Sequence, residues 1–174
     1  IRNCDWSSDV CSSDLQLSPR ELVIALAIVK AHTVKSKIDY PAIIIGCDST
    51  FEFEGESLGK PGSADNAIAR AKKLRGNSGI LHTGHCFIDT EQGIEICDVV
   101  STRVHFAQMT DEEIEGYVAT GEPLNVAGGF TLDGLSAPFI AGIEGETSNV
   151  IGLSLPLFRN AVNSLGYKWF ELIS

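Results

Sequence analysis

The run Ala42-Ile43-Ile44-Ile45-Gly46-Cys47 leaves this chain few ways to fold. β-Branched side chains are stiff in a helix and pack well on a pleated surface, so the run favours a strand. It also lacks the alternation of a half-exposed strand, which predicts cover on both faces. A layered α/β domain follows from that. The apolar run stops at Asp48-Ser49, and a carboxylate ending a buried strand stands where open α/β sheets bind their ligands. Lys60 follows in Leu58-Gly59-Lys60-Pro61, a loop by its Gly and Pro. A carboxylate to activate water or hold a metal, beside a cation to neutralise phosphate oxygens, suits hydrolysis of a phosphate ester or anhydride. The same residues equally suit a turn and a solvated lysine.

With 174 residues and an apolar share of 44%, the chain can build one core without disulfide or metal staples. Its net charge of −10 and the lack of a basic stripe exclude general nucleic-acid binding. Phosphate binding stays open through a local cluster and a divalent cation. No apolar run approaches the roughly 18 residues of a membrane span, and no signal peptide is visible, so the expected compartment is the cytoplasm. The five cysteines are an odd number without a disulfide-framework spacing. Cys47, Cys86 and Cys97 lie in strand-like apolar settings and read as small buried hydrophobes.

Residues 1–15 stand apart. Trp6-Ser7-Ser8-Asp9-Val10 is nearly repeated as Cys11-Ser12-Ser13-Asp14-Leu15, with neither a helical nor a strand period. The stretch predicts a disordered leader and resembles translated cloning sequence, leaving one domain over 16–174.

Ser18 as N-cap, Pro19 at the first helical position and Glu21 as capping-box partner open a helix whose buried face is expected at Leu22, Ala25, Leu26 and Val29. Lys30 lies one turn beyond Leu26. A second helix is expected from Ser63 to Leu74. Strands Ile80–Asp89 and Ile94–Ala107, joined by Thr90-Glu91-Gln92-Gly93, predict an antiparallel hairpin. Thr110 and Glu113 open a short helix that Gly121 stops. Tight strands and loops are expected over 127–145, then a helix from Leu155 to Leu165 and a short strand around Trp169.

His82, His85 and Cys86 invite a zinc reading, but in a strand 82 and 86 share one face while 85 points to the other. His105 reads as half-exposed. A strand-end aspartate also invites comparison with haloacid-dehalogenase phosphatases, which need a second Asp where this chain has Thr50. In Ala127-Gly128-Gly129-Phe130-Thr131-Leu132-Asp133-Gly134, Phe130 suits either stacking on a base or a core bend, and Asp133 could accept hydrogen bonds from a base edge.

Together these segments resemble the Maf family of nucleoside triphosphate pyrophosphatases from about Leu17 onward. The matching pieces include Leu26–Ala31, Gly46-Cys47-Asp48-Ser49, Leu58-Gly59-Lys60-Pro61, Thr102–Phe106, Gly121-Glu122-Pro123, Ala127–Phe130 and Asn149–Leu153. Leu81–Cys86 is worded most like the actinobacterial branch. The resemblance implies an elongated, mixed α/β fold of the inosine-triphosphatase type, with flanking helices and a central cleft. It implies hydrolysis of a nucleoside triphosphate to the monophosphate and pyrophosphate, with a divalent cation, Mg or Mn. Asp48 matches the family's general base, Lys30 and Lys60 its phosphate-binding lysines, and Ser49 a position tied to base specificity. Glu122 and Asp133 are further substrate-side candidates. No metal ligand is assigned, and a homodimer is a possible assembly.

Two departures accompany the match. The family's first strand and Ser-x-Ser-Pro-Arg-Arg phosphate loop are not found before Lys30, so a domain lacking both is expected. Asp133 stands where thymidine- and uridine-specific members carry Gln. The alternative reading is a catalytically impaired or non-catalytic nucleotide-binding fragment.

Overall fold

The computed structural model describes residues 17–172; the leader expected over 1–15 lies outside the described residues. The chain runs α1 (Pro19–Lys35), β1 (Ile43–Phe53), β2 (Glu56–Leu58), α2 (Ala64–Leu74), β3 (Ser78–Asp89), β4 (Ile94–Phe106), α3 (Asp111–Ala119), β5 (Ile140–Glu144), α4 (Thr147–Ile151), α5 (Leu155–Ser164) and α6 (Trp169–Leu172). Short 3₁₀ turns occupy Glu122–Asn125, Ala127–Gly129 and Ala137–Phe139. The strands form one sheet in the order β2-β1-β3-β4-β5, and with the helices they make the α/β class expected. β3 and β4 are neighbours joined by four residues, too few for a parallel crossover, so they form the predicted hairpin.

β1 does not end at Asp48. It continues through Ser49, Thr50, Phe51 and Glu52 to Phe53, then turns back antiparallel as β2 with Phe51 opposite Leu58 and Phe53 opposite Glu56. Thr50, Phe51 and Phe53 are buried there, and Phe51 and Phe53 give the extension its alternating core face. Glu54 and Gly55 make the turn with φ of 52° and 82°, the left-handed pair that a two-residue hairpin requires. Asp48 is therefore a mid-strand residue.

The capping boxes at Ser18 and Thr110 and the Ser63 cap all form. The buried face of α1 differs from the expected one: Val23, Ala27 and Ala31 are buried, whereas Leu26 and Val29 are exposed. The reason is close approach. A Cβ on Gly46 would lie 2.3 Å from the Ala27 carbonyl oxygen, and one on Gly84 would lie 2.2 Å from that of Val23. A helix that near to strand backbone presents alanines inward. Trp169, expected in a strand, begins the helix α6 instead, with its ring edge-on to Phe158 at 5.3 Å.

The chain divides into two compact units, and it passes between them within β1, β3 and β4. The first takes in residues up to Asp48, Thr83–Val100 and the segment from Leu153. Its core joins Ala27 and Ala31 of α1, Ile44 of β1, and Cys86 and Ile88 of β3. The second comprises Ser49–His82 and Ser101–Gly152. Phe51, Phe106 and Phe130 meet there edge to face, with centroids 5.0 to 5.8 Å apart, among Phe53, Leu74, Leu81 and Val104. Phe130 thus takes the core alternative of its two sequence readings. No helix among the described residues is long and apolar enough to cross a membrane.

Candidate active site

In the first unit the structure brings Lys30 and Asp48 together. They stand 18 residues apart in the sequence, and the Lys30 ammonium donates to Asp48 Oδ1 and, at 3.0 Å, to the Cys47 carbonyl. The contact follows from the packing just described: Lys30 lies between Ala27 and Ala31 along α1, the stretch that rests on Gly46. Asp48 is 21% exposed and Lys30 55%, so the pair meets solvent on one side and protein on the other. Next along the strand, the Cys47 thiol is pushed up to about 11, by burial first, with Lys30 acting against the rise and Asp48 adding to it. Cys47 is thereby a thiol rather than a nucleophilic thiolate near neutral pH, and its carbonyl is what serves the pair.

In the second unit Ser49 and Asp133 line one cavity of about 190 Å³, with Leu81, Phe130, Val150 and Ile151 supplying apolar wall. Glu122 is not in that lining. Its carboxylate accepts from Tyr117 OH at 3.1 Å, from the Thr131 hydroxyl, and from the Leu135 amide at 3.0 and 3.1 Å on its two oxygens. The Thr131 bond, more than burial opposes, holds the Glu122 carboxyl below the usual carboxylate range, and the Leu135 amide and Tyr117 add to this. Glu122 therefore fixes the bend on which Asp133 rides. These acceptor contacts were not readable from the sequence, because their donors are set by the fold of the 131–136 loop.

Lys60 sits in the loop after β2 and is exposed. Among the described residues its ammonium makes no ion pair. Its loop is held by the Gly59 carbonyl, which accepts from the Gly128 amide at 3.3 Å and from the Arg70 guanidinium. Sequence reasoning passed over Arg70; its place one turn after the inward-facing Ala67 was the available signal. The zinc reading of His82, His85 and Cys86 fails in its sequence form. His82 bonds Ser101 at 2.8 Å and Glu52 at 2.9 Å, and His85 Nε2 accepts from the Ser154 amide at 3.0 Å. His105 is half-exposed as expected and bonds Glu144 at 2.8 Å.

Comparison with known proteins gives this arrangement its context. Residues 4–165 match the model of the family described as Maf-like protein. The chain belongs to the Maf family. It is 53% identical over 156 residues to a nucleoside triphosphate pyrophosphatase of Streptomyces coelicolor, covering 89% of this chain and 76% of that one. A protein of the same name from Nostoc punctiforme is 51% identical over 162 residues, covering 92% and 82% of the two chains. A third, from Streptomyces avermitilis, is 53% identical over 150 residues.

Proposed function

We propose that this Maf-family chain hydrolyses a nucleoside triphosphate to the monophosphate and pyrophosphate, with Asp48 as general base and Lys30 as the cation beside it. The observation that carries the reading is the Lys30 ammonium on the Asp48 carboxylate, two charges from separate elements in one partly exposed place. The name its relatives bear, nucleoside triphosphate pyrophosphatase, supports the same chemistry.

Asp48 takes a proton from water, and the water oxygen forms a bond to the α-phosphorus. The bond from that phosphorus to its bridging oxygen breaks, and pyrophosphate leaves with the electron pair. The proton then passes from Asp48 to solvent. Lys30 neutralises phosphate oxygens, whose charge grows on the leaving group, which is electrostatic catalysis by a group already beside Asp48; the family resemblance assigns Lys60 a phosphate as well. Within the second unit, the cavity lined by Ser49 and Asp133 has the mixed polar and apolar wall that suits a nucleoside.

A divalent cation belongs to this reading. The Asp48 carboxylate would be the hard oxygen donor for Mg²⁺ or Mn²⁺. When bound, the cation supplies charge neutralisation of the phosphates. The reading also includes the inosine-triphosphatase-type fold, supported by the helix-flanked sheet, and a cytoplasmic location, supported by the free thiols of Cys47, Cys86 and Cys97.

Hydrolysis in heavy-oxygen water with Mg²⁺ tests the reaction. Pyrophosphate and a labelled nucleoside monophosphate are the expected products. Release of orthophosphate with the diphosphate, or a thermal shift without turnover, would overturn the proposal.

A further inference from the structure

We propose that Cys86, Glu95 and Cys97 form a zinc-binding site in the first unit, with His32 holding the free oxygen of the Glu95 carboxylate, apart from the residues assigned to hydrolysis. Along β3 the histidines near Cys86 turn elsewhere, but across the sheet Cys86 meets new partners. The His82–Ser101 contact on the β3–β4 hairpin fixes the register, and four residues further along each strand stand Cys86 and Cys97. Glu95 lies two residues from Cys97 on the same face of β4. His32 arrives from α1, the helix that Gly46 and Gly84 draw down onto the strands.

Three side chains meet the Glu95 carboxylate. Glu95 Oε1 lies 3.4 Å from Cys97 Sγ and 3.7 Å from Cys86 Sγ, and Oε2 lies 2.9 Å from His32 Nε2. The ligand atoms of Cys86, Glu95 and Cys97 all fall within 4.8 Å of one another. A tetrahedral zinc ion with bonds of ~2.3 Å to sulfur and ~2.0 Å to oxygen needs edges of about 3.5 Å from sulfur to oxygen. The two sulfur-to-oxygen distances, 3.7 and 3.4 Å to the same Glu95 oxygen, lie close to this value.

Simple packing accounts poorly for the group. A carboxylate drawn against a fully buried thiol costs desolvation that an apolar side chain at position 95 would avoid. Two soft sulfurs select zinc over magnesium or calcium, which prefer oxygen. On binding, the cation displaces one proton from each of Cys86 and Cys97 to solvent, while His32 keeps its bond to the second Glu95 oxygen. Entry is open from the His32 side, where the imidazole is 48% exposed and Glu95 24%.

The test is a Co²⁺ titration of the reduced, metal-stripped full chain, repeated in the full chain carrying Cys4→Ser and Cys11→Ser so that three thiols remain. One equivalent should give a thiolate-to-cobalt charge-transfer band that Zn²⁺ abolishes, and Zn²⁺ should raise Tm. Cys97→Ser should remove the band, and His32→Gln, a change at an exposed position, should weaken zinc binding at least about tenfold. Cys47→Ser should leave the titration unchanged. Absence of the band in the reduced chain, its survival in Cys97→Ser, or unchanged zinc affinity in His32→Gln would each overturn the proposal. None of these readouts is hydrolysis, so failure of the site and failure of the enzymatic reading are separable.

Discussion

Asp89 and Glu122 show how single carboxylates organise loops here. Burial acts to raise the Asp89 carboxyl, but the amides of Glu91 and Gln92, the Gln92 side chain and Tyr167 OH, all at 2.8–3.0 Å, outweigh it and hold it low. Glu122 is held low chiefly by Thr131. A carboxyl lowered in the folded state stabilises above its unfolded value, about 3.9 for Asp and 4.3 for Glu, and loses that contribution as pH falls through the folded value. Thermal melts across acid pH should therefore decline below about pH 4, and Asp89→Asn should flatten that decline. An unchanged acid limb in Asp89→Asn would contradict the assignment. Glu122→Gln keeps the shape but loses the charge under the Thr131, Tyr117 and Leu135 donors. It should cost about 1 kcal/mol of stability and raise the nucleotide KM several-fold with kcat little changed, because Asp133 rides on the loop it holds. A fall in kcat at constant KM would instead place Glu122 in the chemistry.

At the scale of elements, α1 against β1 and β3 decides where Lys30 stands. Gly84→Ala puts a methyl against the Val23 carbonyl and should cost about 1–3 kcal/mol by overpacking. Turnover of the still-folded fraction should fall as well, since the helix that carries Lys30 must shift. Stability loss with full turnover would show that Lys30 tolerates displacement. This contact also marks the limit of sequence reading. The helix itself was legible from Ser18, Pro19 and Glu21, because caps are local chemistry. Its buried face was not, because the leucine-rich stripe is the inward one only where strand backbone stays at ordinary distance, and Gly46 and Gly84 remove that distance. The five residues of β1 beyond Asp48 were missed similarly: the alternation at Phe51 and Phe53 was overshadowed by the isoleucine run. Asp48 and Lys30 as partners were legible through the family resemblance. The partners of Glu122 and the gathering of Cys86, Glu95 and Cys97 across two strands depend on register, which a linear pattern does not carry.

For the whole molecule, a triphosphate that binds the folded chain alone must stabilise it. A non-hydrolysable nucleoside triphosphate with Mg²⁺ at a hundredfold excess over its Kd should add about 2.7 kcal/mol, read as a concentration-dependent rise in Tm. No rise at any concentration would argue against a nucleotide site. In the proposed mechanism Asp48, paired with Lys30, removes the proton from the attacking water. The most direct measurement is single-turnover pyrophosphate release by Asp48→Asn beside the unaltered chain, both saturated with triphosphate and Mg²⁺. Loss of a general base predicts a rate lower by roughly 10² or more while the ligand-induced Tm rise persists. An unchanged rate in Asp48→Asn would rule out Asp48 as the general base.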